Sequence, residues 1–164
     1  MKLKHVFVTG PSGAGKSTLA VKMAKELQLP VVHMDRDPTW RDNLQSKPLM
    51  WVADPDSINH KIQPNVCKYV VERAISSTEQ PSIIEGTQVL FASKKLLAAY
   101  RIVLLWPPEE VVVERRAMRR YTMAKEKGKP VPFDWCERLA RAYYEYFWPH
   151  LMRVSDWPNV EIVI

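Results

Sequence analysis

One stretch constrains this chain more than any other: Gly10-Pro11-Ser12-Gly13-Ala14-Gly15-Lys16-Ser17-Thr18. An apolar, β-branched run, His5-Val6-Phe7-Val8-Thr9, leads into it. Leu19, Ala20, Met23, Ala24 and Leu27 follow at helical spacing. A buried strand must therefore turn through a glycine loop straight into a helix. Glycines let successive backbone N–H groups point into one concavity, and the helix N-terminus adds partial positive charge. Glycine, four residues, glycine, lysine and a hydroxyl residue, in that strand–loop–helix context, form a phosphate-binding P-loop. A plain glycine turn before an ordinary helix is the alternative, and the complete set of fixed positions argues against it. Gly10, Ser12, Gly13, Ala14, Gly15, Lys16, Ser17 and Thr18 are expected to bind ATP through its phosphates. Lys16 is expected to reach the β- and γ-phosphates, and the Ser17 hydroxyl to hold Mg2+.

Downstream, apolar runs alternate with helical spacing. Pro30 to Met34 reads as a second strand ending at Asp35, and Ser82 to Glu85 as a third ending at Gly86. Arg101 to Trp106 and Val160 to Ile164 read as the last two. Helices are expected over 57–76, kinked or split at Pro64, and over 89–98, from Pro107 to Gly128, and over 134–148. Trp135, Leu139, Tyr143 and Tyr146 share one stripe of that last helix, which reads as core rather than as a base-stacking platform. The alternation implies a parallel sheet covered on both faces. The expected fold is a three-layer α/β/α P-loop NTPase, with a five-stranded, mostly parallel sheet and an arginine-rich helical lid at about 114–132. Residues 36–66, rich in Pro, Asp and Trp at their start, are expected to form a substrate-binding insertion.

The 164 residues, 46% hydrophobic and 26% charged, suit one domain with a sizeable core. No apolar stretch approaches a membrane span, and the first residues lack the apolar centre of a signal peptide, so a cytoplasmic location is expected. Cys67 and Cys136 form no metal-ligand pattern and are expected to be free thiols. His33 reads as a structural histidine. The net charge is +6, and seven basic residues with one acid fall between Arg115 and Lys129, so the excess lies in one segment. Such a segment suits polyphosphates or nucleic acid, although a solvated helix face would look the same.

In parallel folds ligands bind at the carboxyl ends of the strands. Gly10, Asp35, Glu85 and Trp106 should therefore ring one crevice. A phosphotransferase needs a carboxylate to orient an acceptor and take its proton, and one to hold Mg2+. Asp35 is placed for either role, as catalytic residue, substrate ligand or metal ligand, and Asp37 for substrate. Glu85 suits the Mg2+ shell or a substrate hydroxyl, and Gly86 admits substrate to the backbone. Arg115 and Arg119, like Arg116 and Arg120, are paired at i,i+4, so one pair can face one way. Spacing leaves open which pair turns inward. Our assignment gives Arg116 and Arg120 the transferring charge and Arg115 and Arg119 the nucleotide.

The P-loop, the strand ending in Asp35, the Ile83-Ile84-Glu85-Gly86 strand, and Leu104-Leu105-Trp106-Pro107-Pro108 leading to Glu114-Arg115-Arg116-Ala117-Met118-Arg119-Arg120 together carry a resemblance. The chain resembles the nucleoside-monophosphate-kinase-like P-loop kinases, among them shikimate and gluconate kinases and adenylate-kinase-related DNA topology modulation proteins. The resemblance implies that Asp35 and Asp37 match the paired acids after strand two, and that the four arginines match the lid as a group. Arg36 and Arg41 are the candidates for the arginine that contacts substrate there. Glu85 stands where shikimate kinases have glycine. The implied activity is transfer of the γ-phosphoryl group of ATP to a hydroxyl or phosphate of a small molecule, such as a nucleoside or nucleotide. A kinase acting on a 5′-hydroxyl or a modified base of DNA is the alternative. A monomer or homodimer is expected.

Overall fold

Short runs of β-branched and aromatic residues become strands, and the stretches with helical spacing cover them. The structure, a computed structural model, describes residues 4–38 and 64–164. Its strands are β1 (Val6–Thr9), β2 (Val31–His33), β3 (Ile83–Glu85), β4 (Arg101–Leu105) and β5 (Val160–Val163). They pair in the order β2-β3-β1-β4-β5, and every pairing among them is parallel. The helices are α1 (Lys16–Leu27), α2 (Pro64–Ser77), α3 (Lys94–Leu97), α4 (Glu109–Glu126) and α5 (Phe133–Ser155), with 3-10 turns at Met34–Arg36 and Thr87–Phe91.

Strand alternation assigns the faces. Val6, Val8, Ile83 and Val103 point to one side, where Ala20, Met23 and Ala24 of α1 meet them. Phe7, Ile84, Ile102 and Leu104 point to the other, against α2, the Thr87–Phe91 turn and Leu139, Phe147 and Leu151 of α5. Helices thus cover both faces, as the alternation requires. A separate apolar seam, with Val112, Val113, Ala117, Cys136 and Ala140 at its centre, joins α4 to α5. Cys67 and Cys136 are buried free thiols. Among the described residues no helix is long and apolar enough to cross a membrane.

Two expectations differ from the fold, and a third falls partly outside the described residues. The helix expected over 89–98 divides into the 3-10 turn and the single turn α3, because the Ser93 side chain accepts from the Leu96 N–H and starts a new helix. The helix expected over 57–76 is described from Pro64 as α2; residues 57–63, and with them the kink or split expected at Pro64, lie outside the described part. The helix expected to stop at 148 runs through Pro149 to Ser155. An internal proline costs roughly 3 kcal/mol, and Leu151 and Val154, both fully buried, offset it by apolar burial of roughly 1.5–3 kcal/mol each.

Candidate active site

β1 ends against the P-loop, and its geometry follows from its glycines. Gly10 has φ +148°, and a Cβ there would lie 2.2 Å from the Leu105 carbonyl oxygen, so only glycine lets the loop leave β1 beside β4. Gly13 has φ +91°, and its Cβ would lie 2.8 Å from Arg116 Cγ, so the loop and α4 touch without room for a side chain. Gly15 caps α1 with no side-chain acceptor, and the first turn carries no acid. The N–H groups of that first turn are therefore left for an external anion. Ala14 N–H donates to the Pro11 carbonyl, 3.1 Å.

Lys16 is buried, and its Nζ donates to the Pro11 carbonyl across the loop at 3.0 Å. Burial pushes its amine down to about 8; Asp35 and Glu85 pull it up, and Arg116 and Arg119 push it further down. The charges that act on the lysine come from three elements: the Met34–Arg36 turn, β3 and α4.

Glu85 reaches Ser17 for a reason of register. Ile83 faces α1, so Glu85, two residues on in the same strand, faces it too. Its Oε1 accepts from Ser17 Oγ at 3.0 Å. His33 is aligned with Glu85 across the β2–β3 pair, and its Nδ1 lies 2.5 Å from the same oxygen. Oε2 is buried with no hydrogen-bond partner. Asp35 stands apart: its Oδ1 accepts from Gln88 Nε2 at 2.8 Å. Gln88 is itself fully buried and lies across Gly86, where a Cβ would come 2.1 Å from Gln88 Oε1. Thr9 Oγ1 donates to the Gly86 carbonyl at 2.8 Å, tying β1 to the end of β3. Asp37 pairs with Arg73 of α2 at 3.6 Å.

The arginines of α4 divide by face. Arg115 and Arg119 line an open cleft of about 900 Å³ with Gly13, Gly15, Thr18 and Leu19. Arg115 also donates to the Ala14 carbonyl, 3.4 Å. Arg116 stacks on Tyr143 of α5, 4.0 Å from the ring centroid, and Arg120 lies 5.9 Å from the Trp135 ring. Burial pushes the Arg116 guanidinium down to about 10, and its Nε is a buried donor without a partner. A buried, unpaired donor at the rim of an anion loop is ready for an acceptor that arrives with the ligand.

Lys16, Ser17, Asp35, Glu85, Gly86, Arg115, Arg116 and Arg119 are thus brought around one loop, whereas Arg120, expected to act on the transferring group, lies against Trp135 of α5. Ser17 and Asp35, the expected metal pair, are not hydrogen-bonded to each other; the carboxylate on Ser17 is Glu85. Arg41 lies outside the described residues. Two residues escaped sequence reasoning. Gln88 carried no signal, because a buried amide after a glycine looks like any turn residue. His33 was legible in principle, since a residue at the end of β2 must flank its β3 neighbour once the strands pair. Tyr143 and Trp135 sit in or against the core, as their stripe implied, and also carry the arginines.

No protein-family profile matches the sequence, and no characterised protein matches it at significant similarity. Solved structures do match over nearly the whole chain. A gluconokinase from Sinorhizobium meliloti aligns with TM-score 0.54 and 17% identity, covering 99% of this chain and 83% of that one. A shikimate kinase from Acinetobacter baumannii, in complex with shikimate, aligns with TM-score 0.57 and 16% identity, covering 99% and 83%. A deoxyadenosine kinase from M. mycoides with bound dATP aligns with TM-score 0.51 and 12% identity, covering 98% and 90%. At these identities the likeness is one of fold: the chain has the fold of the nucleoside-monophosphate-kinase-like P-loop kinases.

Proposed function

We propose that this protein is an ATP-dependent phosphotransferase that moves the γ-phosphoryl group to a hydroxyl or phosphate of a small molecule, in the class of nucleosides, nucleotides and small polyols. The observation that supports this reading is the P-loop geometry: Lys16 Nζ donates to the Pro11 carbonyl at 3.0 Å, Ser17 Oγ donates to Glu85 at 3.0 Å, and Arg116 of α4 lies against Gly13. Phosphoryl transfer asks a protein for positioning and charge stabilisation rather than covalent chemistry. The loop N–H groups and Lys16 bind the phosphates. Arg116 meets the charge that spreads over the transferring group, and its stack on Tyr143 holds it there. The open cleft beside Arg115 and Arg119 takes the rest of the nucleotide. Asp35, held by Gln88, orients the acceptor and takes its proton as the acceptor oxygen bonds phosphorus and ADP leaves.

Mg2+ fits the same site. The described residues hold no cluster of three or more His, Cys, Asp or Glu that could bind a metal unaided. Mg2+ is commonly held by one or two side chains, water and substrate phosphates. Ser17 Oγ and the partnerless Glu85 Oε2 suit that arrangement, in preference to Asp35. The ion, when bound, would neutralise charge between the β- and γ-phosphates.

The test is transfer of labelled γ-phosphate to a panel of nucleosides, nucleotides, sugars, hydroxy acids and 5′-hydroxyl DNA, with Lys16→Ala as control. Labelling of one small-molecule class, lost in the control, supports the proposal. Labelling of DNA alone, with steep salt dependence, would replace it with the nucleic-acid reading. Transfer by Lys16→Ala at the wild-type rate would remove the assignment of the loop.

A further inference from the structure

We infer that His33 is a positioning residue, which fixes the Glu85 carboxylate on Ser17 and so reserves its second oxygen for a hydrated divalent cation. The inference rests on the phosphotransferase reading above and adds to it a residue that touches neither nucleotide nor metal.

Glu85 sits at the end of a fully buried strand and is only 2% exposed, so bulk water does not satisfy its carboxylate oxygens. What holds it is local. Oε1 receives two hydrogen bonds, one from Ser17 Oγ and one from His33 Nδ1. A carboxylate only accepts, so Nδ1 carries the hydrogen and Nε2 is the far nitrogen of the ring. The strand pairing puts the two residues in register, His33 to Glu85, so the contact is set by β2–β3 ladder geometry rather than by a mobile loop. Both donors act on the same oxygen. Oε2 is left buried and unpartnered, which is costly unless something arrives to use it.

Removing the histidine donor leaves Ser17 as the one side chain on that oxygen among the described residues, and frees the carboxylate to rotate. A divalent ion arriving with the nucleotide would then meet an unordered acid. Partners of this kind, one step removed from a metal, typically change metal affinity by roughly 10- to 100-fold when lost.

The experiment measures affinity for a non-hydrolysable ATP analogue by calorimetry across a Mg2+ titration, with no turnover involved. In His33→Ala the Mg2+ concentration at half-maximal enhancement should rise by roughly 10- to 100-fold. Affinity in EDTA should stay at the wild-type value, which a general loss of structure would not allow. His33→Asn places an amide N–H near the position of Nδ1 and should recover most of the loss. If His33→Ala does not fold, His33→Phe keeps the ring and removes the donor, and must show the same rise. A wild-type Mg2+ midpoint in the donor-less variant overturns the inference, as does an equal loss in EDTA. A wild-type protein that binds the analogue equally with Mg2+ and with EDTA, or not at all, overturns the metal-and-phosphate reading and this inference with it; the wild-type arm alone identifies that case.

Discussion

Replacing Lys16 by methionine should make the protein more stable while removing its ligand. The ammonium is buried inside the P-loop, and burial brings its pKa from 10.5 to about 8. Below about pH 8 the lysine is charged in both the folded and the unfolded chain, so the folded state carries the full cost of hiding the charge. At about 1.4 kcal/mol per pH unit that cost is about 3 kcal/mol. Between pH 8 and 10.5 the folded chain has released a proton that the unfolded chain retains, so wild-type stability should rise with pH across that window. Methionine fills similar volume without the charge. It gives up the 3.0 Å hydrogen bond to the Pro11 carbonyl, worth about 1 kcal/mol. The net gain is about 2 kcal/mol at pH 7. With a urea slope of about 2 kcal/mol per molar, the unfolding midpoint should rise by about 1 M. Nucleotide at a hundredfold excess over its dissociation constant would add about 2.7 kcal/mol to the wild type and far less to the variant, inverting their order. A Lys16→Met midpoint at or below wild type without ligand, or a wild-type midpoint flat from pH 8 to 10, would refute the reasoning.

Arg116→Met should lower single-turnover phosphoryl transfer by about 10²-fold with a smaller change in nucleotide affinity, because the guanidinium is assigned to charge that develops during transfer. Gln88→Leu should raise the acceptor KM by about tenfold and leave the ATP KM unchanged, through loss of one hydrogen bond to a carboxylate, about 1.5 kcal/mol; steady-state kinetics with each substrate varied separates the two. Cys67, whose thiol burial pushes up to about 12, should resist iodoacetamide at pH 8 in the native protein and react on unfolding, as read by mass spectrometry. Arg141→Ala should cost under about 1 kcal/mol in thermal unfolding, since its partners Glu109, Glu110 and Glu137 form an ion-pair cluster largely open to solvent.

Much of this architecture could be read in advance. Val6-Phe7-Val8 alternates between two faces, and Ala20, Met23 and Ala24 recur at helical spacing, so local chemistry and final packing agree for β1 and α1. The misreadings arose where a single residue competes with a pattern. Ser93 starts a new helix inside an apolar stretch, and Pro149 fails to end one because buried side chains beyond it hold the helix together. Proline and serine act locally, whereas their outcome depends on what the following turn can bury.

The P-loop is a local object. Its glycines, its lysine and the start of the helix behind it fall within nine consecutive residues, Gly10 to Thr18, so their chemistry is written in sequence order. So too is the arrival of each strand end at one crevice, which follows from parallel topology. Which carboxylate meets Ser17 is a different kind of fact. Asp35 and Glu85 end adjacent strands and look interchangeable along the chain. Strand register then points Glu85 at α1, beside His33, and Gln88 holds Asp35 away. In the same way, four arginines on α4 are equivalent by spacing until α5 packs against one side and takes Arg116 and Arg120 onto its aromatic rings. Contacts between different elements depend on the relative register of whole elements, and only the assembled core sets that register.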